Sequence, residues 1–137
     1  MTGRPIAWIL AFGLLLAVAS SARLVASTSA SRAQDPNKRE ISVTAKKYTY
    51  VVDGGGSEIR VKQNDLVTIK LTAQDIPHSF TISDDHYRID RRAEPGKTVT
   101  FPFRADKVGE FEIRCVLTVD DRCAREMRGK LIVVAAK

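Results

Sequence analysis

Four side chains that can bind soft metal ions stand out in this sequence. The chain contains two cysteines, two histidines and two methionines, and Met1 is the initiator. Cys115 ends the predicted strand before the last one, and Cys123 and Met127 lie between these two strands. His78 is at the start of an earlier strand. A sandwich could bring these strand ends together. Imidazole, thiolate and thioether ligands in combination suit copper, and Cu(I) in particular. The residue types therefore predict a copper site at one end of the domain.

The same two cysteines also allow a metal-free interpretation. Exported proteins meet an oxidising compartment, in which two cysteines pair readily. Cys115 and Cys123 enclose only residues 116–122, and closing so short a loop contributes about 2.5 kcal/mol in the chain-entropy model. A disulfide would remove both thiolates from a copper site. The alternative function is therefore a disulfide-stapled structural or interaction module without a metal.

Other polar clusters do not form a catalytic pattern. The chain has no G-x-S-x-G and no H-E-x-x-H motif, and no arrangement of Cys, His and Asn favours nucleophilic catalysis. His86 follows two aspartates, and residues 120–121 are a second acidic pair, but both read as solvated loops. The glycine run at residues 54–56 lacks the Lys-Ser/Thr of a phosphate loop and predicts a hairpin connection. We therefore predict that the protein is not an enzyme.

The N-terminal residues have the pattern of an export signal. Arg4 precedes an uninterrupted apolar run over residues 6–19, which small residues follow. Residues 1–33 are predicted to be a signal peptide or signal anchor with a short linker, cleaved after Ala22 or Ala33 or retained. Residues 40–137 then form the domain in the periplasm or outside the cell. The membrane is a partner only if the N-terminal segment is uncleaved.

The charge pattern excludes nucleic acid as a partner. The formal net charge is +6, and Arg4, Arg23 and Arg32 in the predicted signal region supply half of it. Acidic and basic residues are interspersed in the remainder, without a basic helix or aromatic–basic interleaving. The mild positive charge suits docking to an acidic redox partner or to an anionic membrane surface.

From Glu40 onward the hydrophobic pattern is that of an all-β domain. Apolar and polar residues alternate along short runs that Gly, Pro, Asn and Asp separate. Seven or eight strands at this spacing predict a sandwich or barrel. The runs are residues 41–45, 48–52, 59–61, 66–71, 79–82, 98–103, 110–115 and 129–134, whereas residues 84–94 read as a charged, irregular loop.

Several motifs resemble the copper domain of cytochrome c oxidase subunit II and related cupredoxins. Asp75-Ile-Pro-His78-Ser-Phe80 resembles the D-x-x-H-S-F segment, whose His is a copper ligand in that family. Pro95-Gly-Lys97 and the run from residue 107 to Cys115 resemble the approach to the ligand Cys, and Met127-x-Gly-x-Leu-x-Val resembles the finish. The resemblance spans nearly all of residues 40–137 and implies a cupredoxin-like Greek-key β-sandwich.

The ligand loop departs from the family pattern. Dinuclear copper domains read C-x3-C-x3-H-x2-M, but Val119 and Cys123 occupy the positions of the second Cys and the His. The loop has no His, so a dinuclear centre is excluded. Mononuclear type 1 sites use His, Cys, His and Met, and Cys123 would replace the second His. The resemblance thus implies a mononuclear copper site of His78, Cys115, Cys123 and Met127. Its function would be electron transfer, or copper handling with a protein that donates or accepts copper.

Overall fold

A computed structural model describes residues 37–137 of the chain. The predicted signal segment and the start of the linker lie outside the described residues. Among residues 37–137, no helix is both long and apolar enough to cross a membrane.

The described residues form nine strands and one short helix. In chain order the elements are β1 (Lys38–Lys46), β2 (Thr49–Val52), β3 (Glu58–Lys62), β4 (Leu66–Ala73), β5 (His78–Ser83), β6 (Arg88–Ala93), β7 (Thr98–Arg104), β8 (Gly109–Arg114), α1 (Asp121–Glu126) and β9 (Arg128–Val134).

The strands form two sheets, which confirms the prediction of an all-β sandwich. One sheet has the order β2-β1-β4-β7, and the other has the order β3-β9-β8-β5-β6. Strands β1 and β4 pair in parallel, as do β3 and β9. The remaining pairs within the sheets are antiparallel.

Alternation along the strands builds the core between the sheets. In β4 every second residue is buried, from Val67 through Ile69 and Leu71 to Ala73. Phe80 lies at the centre of the core and meets the rings of Tyr50 and Phe101 edge-on, with centroids 6.2 and 5.5 Å away. Burying one large apolar side chain contributes about 1.5–3 kcal/mol, so these periodic positions account for much of the stability.

Two sequence-based predictions were wrong in detail. Residues 84–94, predicted to be an irregular loop, contain the edge strand β6, which pairs with β5 from His78↔Ala93 to Ser83↔Arg88. Only Ile89 and Ala93 of this strand are buried, because an edge strand tolerates charge along most of its length. The glycines at 54–56 do turn the chain, each with positive φ. They connect β2 to β3 in the other sheet and do not close a hairpin.

The topology brings three strand ends to one end of the sandwich. Thr81 of β5 pairs with Arg114 of β8, so the start of β5 lies beside the end of β8. Arg114 also pairs with Arg128, which places the start of β9 at the same end. The ligand segment, defined here as residues 115–127, connects β8 to β9 and contains α1.

Candidate metal centre

The structure brings all four predicted ligand residues together at this end. His78 is the first residue of β5, Cys115 directly follows β8, and Met127 directly precedes β9. One ligand atom of each of His78, Cys115 and Cys123 lies within 4.8 Å of the others. The Sγ of Cys123 is 3.8 Å from the Sδ of Met127. All four residues are 0% exposed, so they form one buried cluster.

The two cysteines of the cluster are joined in a disulfide, with Cα atoms 5.7 Å apart. No cysteine among the described residues is free. The structure therefore holds the oxidised form of the site, as the metal-free interpretation expects.

Helix α1 positions Cys123 and Met127. Asp120 is its N-cap, and its Oδ1 accepts a hydrogen bond from the backbone N–H of Arg122 at 2.9 Å. An aspartate in this position satisfies an amide that has no partner within the helix. Residues four apart share a helix face, so the turn that begins at Asp120 points both sulfur atoms inward.

Asp75 fixes the orientation of the His78 ring. The Nε2 of His78 is 2.7 Å from the Oδ1 of Asp75, while its Nδ1 is 3.3 Å from the Sγ of Cys123. The Asp75 carboxylate can only accept, so the Nε2–H of His78 donates this hydrogen bond, and the Nδ1 side of the ring faces the sulfur atoms.

The Asp75 carboxylate is held in its charged form. Partial burial raises its pKa, but the backbone N–H of Lys47, the ring of His78 and the backbone N–H of Ile76 all hydrogen-bond to it, and together they lower its pKa to about 2. The Lys47 bond is 2.8 Å long. Asp75 is therefore an anion at neutral pH and remains a hydrogen-bond acceptor for His78.

Ser79 connects β5 to the start of the ligand segment. Its Oγ accepts a 2.9 Å hydrogen bond from the backbone N–H of Val116, next to Cys115. Its carbonyl accepts a 2.5 Å bond from the hydroxyl of Tyr50. Burial raises the pKa of Tyr50, so this hydroxyl stays protonated and keeps donating.

The four residues fit copper only when the two cysteines are reduced. In the disulfide the two sulfur atoms are not thiolates, and His78 and Met127 alone are a sparse ligand set. Reduction would give two thiolates beside one imidazole and one thioether, all shielded from water. Such soft donors suit Cu(I), so the residues fit a single copper ion after reduction.

Two polar clusters that the sequence drew attention to do not join this site. His86 lies beyond the far end of β5, where its Nε2 is 2.6 Å from the Oδ1 of Asp106. Asp120 is near the site, but its Oδ2 accepts a hydrogen bond from the hydroxyl of Tyr48 and its Oδ1 caps α1. Asp106 and Asp120 therefore both have hydrogen-bond partners within the protein.

The sequence matches a known domain family. The model of the cupredoxin-like domain family matches residues 9–133. The chain belongs to the cupredoxin-like family. Among curated proteins, none matches the chain significantly in sequence.

Solved structures that resemble this cupredoxin-like chain include respiratory and blue copper proteins. A chain of a haem-copper terminal oxidase dimer aligns with a TM-score of 0.61 and 25% identity, over 72% of this chain and 65% of that one. The periplasmic domain of cytochrome oxidase subunit II of Bradyrhizobium japonicum gives 0.60 and 20%, over 70% and 83%. Auracyanin A, a blue copper protein from Chloroflexus aurantiacus, gives 0.56 and 17%, over 70% and 98%.

A further subunit II structure captures a redox complex. There the domain is in a mixed disulfide intermediate with the thioredoxin-like protein TlpAs; the TM-score is 0.55 and the identity 22%, over 70% of this chain and 81% of that one. Because the cupredoxin-like fold occurs both in an oxidase chain and in a blue copper protein, the fold alone does not assign catalysis.

The sequence analysis assigned no role to Asp75 or Tyr48. Asp75 hydrogen-bonds to His78 itself, and Tyr48 contacts Asp120, the N-cap of α1. Asp75 begins the D-x-x-H-S-F segment, and its position three residues before His78 could have indicated that it contacts the histidine. A carboxylate that orients a ligating imidazole is a common second layer of metal sites. Tyr48 is 72 residues from its partner Asp120, so local sequence carries no signal for that pair.

Proposed function

We propose that this protein is an exported copper-handling protein that binds one Cu(I) ion through His78, Cys115, Cys123 and Met127 once the disulfide is reduced. The observation that carries the proposal is the buried cluster of one imidazole and three sulfur atoms at a single end of the sandwich. Two of these sulfur atoms become thiolates on reduction, which gives four soft donors without a large movement of the chain.

Reduction must precede binding. A dithiol reductant supplies two electrons and two protons: its thiolate attacks one sulfur atom, and the Cys115–Cys123 bond breaks. This attack forms a mixed disulfide between the reductant and one cysteine. The reductant's second thiol then attacks its own sulfur in that mixed disulfide, so that the reductant leaves as a disulfide and both cysteines are thiols. A thioredoxin-like protein is the expected reductant, and the mixed disulfide of a subunit II domain with such a protein supports this partner.

The protein's own residues prepare the site for the ion. Asp75 keeps the Nε2–H of His78 engaged, so the Nδ1 of His78 stays directed at the sulfur atoms. Displacement of the two thiol protons accompanies binding. Met127, which is 0% exposed, offers its thioether without adding charge. The net charge of the four ligands is therefore that of two thiolates.

The pair of cysteines favours copper handling over electron transfer. If two Cu(II) ions meet the dithiol, each accepts one electron, and the products are the disulfide, two Cu(I) ions and two protons. The fold accommodates the Cys115–Cys123 disulfide, so the product of this oxidation is a state that the protein adopts. A site that cycled between Cu(I) and Cu(II) would need protection from this reaction. We therefore favour transport or buffering of Cu(I), with a copper donor or acceptor as partner.

The disulfide itself favours a second candidate, a metal-free sandwich that the Cys115–Cys123 bond staples. Intact-mass measurement together with metal analysis separates the two candidates. We expect the oxidised protein to hold no copper, and the reduced protein, loaded with Cu(I) without oxygen and then desalted, to keep one ion per chain. If the reduced protein keeps none, the copper proposal fails and the stapled module is favoured. A stable visible charge-transfer band with Cu(II) would instead favour electron transfer.

A further inference from the structure

The sulfur atoms of the disulfide are closed off from solvent. Cys115 and Cys123 are each 0% exposed, yet an attacking thiolate must reach one sulfur atom along the line of the S–S bond. Some part of the fold must therefore open before reduction. Strands β5, β8 and β9 are paired in one sheet, whereas residues 115–120 belong to no strand or helix. The ligand segment is thus the element that can move most easily.

Tyr48 holds the middle of this segment against the sandwich. Its hydroxyl donates a 2.9 Å hydrogen bond to the Oδ2 of Asp120, and the guanidinium carbon of Arg122 lies 4.1 Å from the centroid of its ring. Arg122 is itself fixed by two 2.9 Å bonds to Glu126. Tyr48 therefore touches both residues at the N-terminal turn of α1, directly before Cys123.

Tyr48 is also placed beside the histidine side of the site. The neighbouring Lys47 donates its backbone N–H to Asp75, the residue that orients His78. The short connection between β1 and β2 thus braces both halves of the cluster. Val116 and Val119 of the ligand segment are 42% and 54% exposed, whereas Leu117 packs against the core. Between Leu117 and Cys123, the segment is therefore held by the contacts of Tyr48 with Asp120 and Arg122.

We propose that Tyr48 is a positioning residue that keeps the ligand segment closed over the Cys115–Cys123 disulfide and so sets the rate at which a thiol reductant reaches it. The inference rests on the proposed function, since reduction is the step that prepares the site for Cu(I). Loss of the hydroxyl removes a hydrogen bond to a charged acceptor, which is among the stronger kinds in proteins. The closed segment would then open more often without any change in the four ligand residues.

The test measures reduction of the metal-free, oxidised full chain by excess dithiothreitol, with thiols alkylated at intervals and counted by mass. Tyr48→Phe should be reduced at least about fivefold faster than wild type. Asp120→Asn keeps an acceptor for the α1 cap but loses the charge, and its rate should fall between the two. Tyr87→Phe is the matched control, because it loses a hydroxyl that bonds Lys107 at the opposite end.

Urea unfolding of the same oxidised proteins separates local opening from global unfolding. We expect the rate increase of Tyr48→Phe to exceed any change in its unfolding equilibrium, and Tyr87→Phe to leave the rate unchanged. An unchanged rate for Tyr48→Phe would overturn the proposal, as would an increase that Tyr87→Phe shares in proportion to lost stability. No copper is used, so failure here is distinct from failure of the reduced protein to bind Cu(I).

Discussion

The Nδ1 of His78 lies 3.3 Å from the Sγ of Cys123, and both atoms belong to fully buried residues. They are 45 residues apart in the chain and meet because the start of β5 and the ligand segment share one end of the sandwich. In the oxidised protein, the contact between the ring nitrogen and a disulfide sulfur contributes little binding energy. Under the function that we propose, reduction turns this pair into an imidazole and a thiolate that bind the same Cu(I) ion.

Asp75 should matter for copper affinity. Replacing Asp75 with Asn weakens the acceptor at the Nε2 of His78 and lets the ring rotate, and the loss of such a partner typically costs 10–100-fold in metal affinity. We expect a loss of about that size for Cu(I), measured by competition with a chelator on the reduced protein. Asp84→Asn, a turn aspartate at the other end, should leave the affinity unchanged. Equal affinities for Asp75→Asn and wild type would remove Asp75 from the site.

Met127 should contribute affinity and little stability. Leu has nearly the same volume, and exchanges of this kind usually cost less than about 1.5 kcal/mol of unfolding free energy. Met127→Leu should therefore unfold at nearly the wild-type urea concentration but bind Cu(I) at least about tenfold more weakly, equivalent to about 1.4 kcal/mol. Leu131→Met, the reverse change at a buried position of β9, controls for repacking. An unaltered affinity would assign Met127 to the core alone.

The disulfide should stabilise the oxidised fold measurably. Its two cysteines are eight positions apart, for which the chain-entropy model gives about 2.5 kcal/mol. The double variant Cys115→Ser, Cys123→Ser should unfold with a free energy lower by about that amount than the oxidised protein, in urea titrations followed by circular dichroism. A variant as stable as the oxidised protein would mean that the bond has no structural role.

Asp84, at the far end of the sandwich, should make the stability of the fold depend on pH. Its carboxylate accepts a hydrogen bond from the backbone N–H of His86, and this bond, with those from Tyr87 and Lys107, lowers its pKa. A depressed folded-state pKa stabilises the fold above the unfolded value of about 3.9, and this contribution disappears as the pH falls through the folded value. Wild type should therefore exceed Asp84→Asn in urea midpoint at neutral pH and lose that advantage as the pH falls through the lowered pKa of Asp84. A difference that does not change with pH would argue against a charge effect.

The strand pattern was predictable because burial imposes a period of two. The alternation in residues 66–71 appears as the buried face of β4, and the resemblance to cupredoxins is confirmed by the match of residues 9–133 to that family. Strand β6 was missed for the opposite reason, since four of its six residues are exposed and charged. An edge strand is held by backbone pairing, which leaves no hydrophobic pattern in the sequence.

The candidate site was predictable in its residue types and not in its redox state or its supports. Cys115 and Cys123 read equally well as ligands or as a disulfide, because both uses need the same proximity. The pairing of Tyr48 with Asp120 depends on how the β1–β2 connection meets the ligand segment. That geometry arises from tertiary packing, and no local sequence motif predicts it.

The most direct test of the central claim is the Cu(I) affinity of the same protein in its two redox states. An anaerobic competition titration against a chromophoric Cu(I) chelator should show one tightly bound ion per chain for the reduced protein and none for the oxidised protein. Reoxidation of the cysteines should abolish binding, and renewed reduction should restore it. If the reduced and oxidised proteins compete equally, or neither competes, the Cys115–Cys123 pair is not the copper site that we propose.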